Sequence, residues 1–158
     1  MKKHKTAVYL FWILMTEAVG GLAGWLIKDG VSYYKSQVNK PVFSPPSVVF
    51  PIVWALLYGL MGIGVSRVVL SPGSKARTDG IQLYLIQLAV NFAWSIVFFN
   101  LRVYGAALAV LLLLLVLILW MILRFRAADR IAAGLQIPYA VWVLFAACLN
   151  AGVLLLNP

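Results

Sequence analysis

The sequence predicts an all-α integral membrane protein, a bundle of five transmembrane helices, on three observations. Its 158 residues are 64% hydrophobic and 11% charged, with a mean hydropathy of +0.98, which is more apolar surface than one small water-soluble core can enclose. The charges fall between apolar runs that are each near the roughly 20 residues a helix needs to cross a bilayer. Period-two alternation is absent, and Leu111 to Leu115 is an unbroken leucine run, so helices rather than barrel strands are expected.

The first helix is expected at about 6–27. Its basic start, Met1-Lys-Lys-His-Lys, mimics a signal peptide, but the apolar stretch is long and has no A-x-A cleavage pattern, which predicts an uncleaved helix. Glu17 is the one acid inside a span, and Gly20, Gly21 and Gly24 share its face. The spacing of Gly20 and Gly24 predicts close helix packing, within the bundle or across a dimer. Residues 28–47 carry Tyr33, Tyr34 and Phe43 and end in Pro41, Pro45 and Pro46. Prolines keep the residue before them out of helix, so this segment is expected to form an ordered external lid with an extended approach to the second helix. Further helices are expected at about 48–70, 80–100, 104–124 and 131–156, all in one membrane domain over 1–158. In the fourth, Trp120 is the only side chain with a polar group between Ala106 and Ile122, which assigns that helix to lipid or to a second subunit.

The net charge of +9 is distributed for a bilayer rather than for nucleic acid. Lys2, Lys3, Lys5, Arg67, Lys75, Arg77, Arg124, Arg126 and Arg130 fall on one side, against Lys28, Lys35, Lys40 and Arg102 on the other. Positive-inside asymmetry then places the N-terminus in the cytoplasm and the C-terminus outside, with membrane lipids as the partners of the basic groups. The one cysteine, Cys148, lies within the fifth span and is expected to be a packing residue. His4 is the only histidine, so neither a Ser-His-Asp set nor a cluster of metal ligands is expected.

Amides in hydrocarbon without partners cost several kcal/mol as an order of magnitude, so the polar residues within spans should face inward. Gln87, Asn91, Trp94, Ser95 and Phe98 form one stripe on the third helix, and Pro138, Trp142, Phe145, Ala146, Leu149 and Asn150 form one on the fifth. At 1.5 Å per residue, Trp54, Trp94 and Asn150 lie in the outer half, with Tyr58 one turn inward of Trp54 and with Asn91 and Trp142 nearer the midplane. Four aromatics and two amides thus converge on one cavity under the lid, or serve as glue between helices. Glu17 is either a functional carboxylate, a protonated acid bonded to a neighbouring helix, or a side chain reaching a water-filled pocket.

Three blocks of sequence resemble the TspO/MBR family of tryptophan-rich sensory proteins, whose mitochondrial relatives are translocator proteins or peripheral-type benzodiazepine receptors. The blocks are Lys40-Pro41-Val42-Phe43-Ser44-Pro45-Pro46 with Phe50-Pro51-Ile52-Val53-Trp54 and Tyr58; Gln87-Leu88 with Asn91-Phe92-Ala93-Trp94-Ser95; and Pro138-Tyr139-Ala140-Val141-Trp142 with Phe145-Ala146 and Leu149-Asn150. The resemblance implies a five-helix bundle, usually dimeric, that binds protoporphyrin-type tetrapyrroles as ligand or substrate and needs no resident cofactor. It implies that Trp54 and Trp142 take part in binding and in slow light-dependent oxidation of the pigment. It also implies that Asn91, Trp94, Ala146 and Leu149 line the pocket. Phe43 stands where the family commonly has tryptophan, and Tyr33-Tyr34-Lys35 replaces its usual Trp-Tyr pair. The sterol pattern of the animal proteins needs a tyrosine followed by a cation, and Leu149 to Pro158 holds neither, so sterol binding there is not supported.

Two functions are therefore expected to compete. One is a tetrapyrrole-binding protein of a bacterial cytoplasmic membrane, acting in porphyrin sensing, transport or photo-oxidative breakdown, with Lys35 and Lys40 meeting the ligand's propionates at the cavity mouth. The other is a small proton-coupled exporter of lipophilic cations that uses Glu17.

Overall fold

The computed structural model describes residues 1–158 as six α-helices: α1 (Lys2–Leu26), α2 (Lys28–Gln37), α3 (Val49–Val69), α4 (Lys75–Ser95), α5 (Tyr104–Ala128) and α6 (Arg130–Leu156). A π-helical turn, Ile96–Asn100, prolongs α4. With that turn counted into α4, five of the helices are long and apolar enough to cross a membrane, and α2 is the exception.

The helices outrun the charge-free segments from which they are expected. Helix α1 begins at Lys2, and α4 starts at Lys75, where the Ser74 hydroxyl accepts from the Arg77 N–H at 3.1 Å. A charge ends the hydrocarbon span without ending the helix, because the backbone stays hydrogen-bonded in the headgroup zone and an N-cap satisfies its first donors. The lid differs more, since its first half is the helix α2 and the part from Val38 onward is irregular, with turns at 42–43 and 47–48. The stretch Lys28-Asp-Gly-Val-Ser-Tyr-Tyr-Lys-Ser-Gln37 has no proline, so nothing bars it from helix, and the prolines act only from Lys40 onward.

Helix α5 packs on α4 and α6, and α3 packs on α1 and α6. Ala107, Leu111, Leu114, Ile118, Met121 and Phe125 follow alternating steps of four and three and are fully buried, the seam expected of close helix pairs. Leu112, Leu113, Val116, Leu119, Trp120 and Leu123 are exposed on the other face. The fourth span thus presents only one face outward, although its composition gave no sign of two. The close contact of α1 with α3 is at Gly62, where an added Cβ would come 2.7 Å from Ile13 Cα. Gly20 lies against the Tyr58 ring, whereas a Cβ on Gly24 would meet nothing within 4 Å.

Inside the bundle the Tyr139 hydroxyl donates to Gln87 Oε1 at 2.6 Å and accepts from Asn91 Nδ2 at 2.7 Å, while the hydroxyls of Thr16 and Tyr84 bond to one another. At one end, Arg67 makes a two-pronged contact with Asp129, Nε to Oδ1 at 3.1 Å and Nη2 to Oδ2 at 2.9 Å. Asp129 also caps α6 by accepting from the Ala132 N–H at 2.7 Å.

Candidate functional site

At the opposite end the lid covers a cavity of about 590 Å³ formed by α1, α2, α3, α4 with its π turn, and α6. Three contacts hold the lid down. Arg102, in a left-handed backbone conformation with φ of 57°, places its guanidinium 4.0 Å from the Tyr33 ring centre. Tyr34 is buried against Phe98 and Phe99, with centroids 5.7 and 5.5 Å apart. Asn157 Oδ1 accepts from the Asn39 N–H at 3.0 Å, and Asn157 Nδ2 donates to the Asn39 carbonyl at 2.9 Å. The π turn inserts a residue into the helical ladder and rotates the residues after it, and the Phe98 and Phe99 rings it carries meet the lid. Burial, with a smaller contribution from the neighbouring Tyr104, pushes the Tyr34 hydroxyl above its ordinary value.

The cavity walls are aromatic. Trp54 stacks on Tyr58 at 5.4 Å with planes 30° apart, and Trp94 lies 5.4 Å from Phe98. The Trp94 indole donates to Asn150 Oδ1 at 3.1 Å, and Asn150 Nδ2 donates to the Tyr104 carbonyl at 2.9 Å. Asn150 therefore spends its amide on fixing the wall. Ala146 and Leu149 complete the α6 side. Lys28 and Lys35 line the cavity from the lid, and Glu17 lines it from α1. Gly21, Gly24, Pro51 and Ala55 are wall residues that are also exposed, so the cavity opens sideways between α1 and α3, toward the lipid.

Of the residues expected at the site, the structure brings together Trp54, Tyr58, Trp94, Ala146, Leu149, Asn150 and Lys35. Asn91 is buried behind the wall, in the cluster with Tyr139 and Gln87. Trp142 and Phe145 form an aromatic ridge outside it. Trp142 packs on Phe50, a wall residue, at 5.9 Å, and Phe145 packs on Phe43 of the lid at 6.3 Å. The stripe on α6 is wide enough to straddle two grooves, one flank facing Trp94 and the other facing Phe50. Lys40 is engaged elsewhere, its ammonium donating to the carbonyls of Lys35 and Val38 at 3.1 Å each and lying 5.1 Å from the Tyr34 ring centre. It caps the C-terminal end of α2. Lys40 and Lys35 both border a second, smaller recess under the proline segment. The stripe reasoning missed Tyr139, whose hydroxyl joins the amides of Gln87 and Asn91. A signal existed, since buried tyrosine hydroxyls seek partners, but an amide stripe does not say which neighbour supplies them.

The sequence model described as the TspO/MBR family matches residues 12–156. A tryptophan-rich protein TspO of Chlorobaculum tepidum is 34% identical, over 89% of this chain and 90% of its own length. Protein CrtK of Rhodobacter capsulatus is 32% identical over 89% and 88%. The translocator protein of Homo sapiens is 34% identical over 77% of this chain and 73% of its own.

Proposed function

The chain belongs to the TspO/MBR family, and from that premise we propose that it binds protoporphyrin-type tetrapyrroles in the cavity under the lid and acts in their sensing, transport or photo-oxidative breakdown. Family membership and five apolar helices make it an integral membrane protein. The observation that carries the ligand reading is the wall made by Trp54, Tyr58, Trp94 and Phe98 around about 590 Å³. A flat aromatic macrocycle gains roughly 0.5 to 1.5 kcal/mol per well-placed aromatic pair beyond the burial of area. Its propionates would stay at the wet end, beside Lys28 and Lys35, as amphipathic groups do at interfaces. The sideways opening between α1 and α3 suits a ligand that partitions into lipid. Trp54, an oxidisable indole on the wall, is the residue placed to react with an excited pigment.

The host membrane we infer is a bacterial cytoplasmic membrane, with the lid outside. The outward face of α5 suits lipid or a second copy, and we infer a homodimer. Protoporphyrin titrated into detergent-solubilised protein should quench tryptophan emission saturably, and Trp94→Leu should weaken that quenching. Quenching that never saturates, or that Trp94→Leu leaves unchanged, would remove the cavity as the binding site.

A further inference from the structure

Glu17 is the one charged group of the cavity wall that neither the fold nor the pigment contacts account for. It stands on α1 in the apolar part of the cavity wall, with Oε1 3.6 Å from the point where a Cβ on Gly59 would lie. The ion pairs of the chain are Arg67 with Asp129, Lys75 with Asp79 and Arg124 with Asp79, so none of the 13 Lys and Arg residues reaches it. The other charged wall residues, Lys28 and Lys35, belong to the lid. Lys28 lies just past the end of α1, about 16.5 Å along its axis from Glu17 at the helical rise.

A half-buried carboxylate facing an apolar cavity has lost part of its hydration without regaining an ion pair from the protein. In a membrane-spanning segment such a group is costly unless it faces a partner or a pathway. The partner that restores its interactions is a positive centre, and the cavity is where one could stand. The two ends of the cavity then differ in sign, a carboxylate at the inner end and ammonium groups at the mouth.

We propose that Glu17 is a specificity-determining residue that selects occupants carrying a positive centre within their apolar body, with any acidic end of the same occupant facing Lys35. For a tetrapyrrole, this means a macrocycle whose coordinated metal leaves its core positively charged. To that extent the proposal rests on the tetrapyrrole reading. The pairing is Coulombic and is strengthened by the low dielectric of the cavity, and it asks no bond to form or break.

The test uses the full chain in detergent, with tryptophan quenching as the readout and three probes. Manganese(III) protoporphyrin has a positive core, palladium(II) protoporphyrin has a neutral core that takes no axial partner, and tetraphenylphosphonium is a lipophilic cation without an acid. The native protein should bind the manganese macrocycle about tenfold more tightly than the palladium one. Glu17→Gln and Glu17→Leu should both erase that ratio, and both should weaken tetraphenylphosphonium. Equal affinity for the two macrocycles in the native protein, or a ratio that survives in either variant, overturns the role of Glu17 and leaves the pigment reading standing. Binding of tetraphenylphosphonium that depends on Glu17, with neither macrocycle bound, keeps the role and overturns the pigment reading. Absence of binding by all three probes overturns both.

Discussion

Trp94 and Asn150, 56 residues apart, are joined by an indole-to-amide hydrogen bond of 3.1 Å whose acceptor is itself anchored to the Tyr104 carbonyl. One amide therefore ties three helices and holds an indole face toward the cavity. Asn150→Leu leaves the Trp94 N–H and the Tyr104 carbonyl without those partners, so stability should fall by about 1 to 3 kcal/mol, read as thermal unfolding in detergent. Adding Trp94→Phe to Asn150→Leu should recover part of that loss, because the stranded donor is gone. A double variant as unstable as the sum of the singles would show that the bond carries no coupling.

Trp54 and Trp142 should differ in pigment photochemistry. Trp54 is on the wall, whereas Trp142 stands outside it and packs on the wall residue Phe50. Phenylalanine keeps an aromatic surface and removes the oxidisable indole, so Trp54→Phe should slow porphyrin bleaching several-fold while Trp142→Phe slows it less. Unchanged bleaching in Trp54→Phe would exclude its indole from the reaction.

Lys35 and Lys40 should separate by ligand chemistry. Lys35→Gln removes an ammonium on the cavity wall and should weaken porphyrins with free propionates more than their dimethyl esters, by about 1 kcal/mol or less at so exposed a site. Lys40→Gln uncaps α2 and loosens the lid, so acid and ester should lose alike. The affinity ratio of acid to ester in each variant decides it.

The pair of Arg67 and Asp129 predicts a pH dependence with a definite sign. Partial burial disfavours the Asp129 carboxylate, but hydrogen bonds from Arg67 and from the backbone N–H groups of Ala132 and Ile131 outweigh it and hold the carboxyl below its ordinary value of 3.8. A depressed folded value contributes stability that is complete above the unfolded value and is lost as pH falls through the folded one. Native protein should therefore lose its advantage over Asp129→Asn, roughly 1 kcal/mol for a part-exposed pair, as the pH is lowered through and below 3.8. Asparagine still caps a helix, so the difference isolates the charge. A constant gap across that range would refute the linkage.

Orientation can be read with an impermeant thiol reagent on intact cells after Cys148→Ala. Ser36→Cys in the lid should label and Gly73→Cys in the α3–α4 loop should not. Gly73 is suited to the purpose because an added Cβ there meets nothing within 4 Å, whereas Ser74 caps α4. Labelling of the opposite pattern would invert the topology inferred from the nine-to-four cation distribution.

Sequence alone determined the elements whose physics is one-dimensional. Hydropathy over about 20 residues sets a span whatever it packs against, so five spans were legible, as was the inward stripe of Gln87, Asn91, Trp94 and Ser95, all of which are buried. Charge marks where hydrocarbon ends but not where a helix ends, which is why α4 reaches back to Lys75 and why α2 lay hidden in the lid. Only the tertiary structure decided which flank of each stripe meets the cavity. Trp142 and Asn150 share one stripe on α6, yet Asn150 supports the wall and Trp142 stands behind Phe50, because the rotation of a helix is set by the grooves of its neighbours rather than by its own period. The same holds for Lys40, an external cation by sequence, whose ammonium the fold commits to two carbonyls at the end of α2. It holds also for Gly24, which by spacing belongs to a packing motif and within the bundle lines the cavity instead of meeting a helix, because a motif permits close approach and only the partner helix makes it.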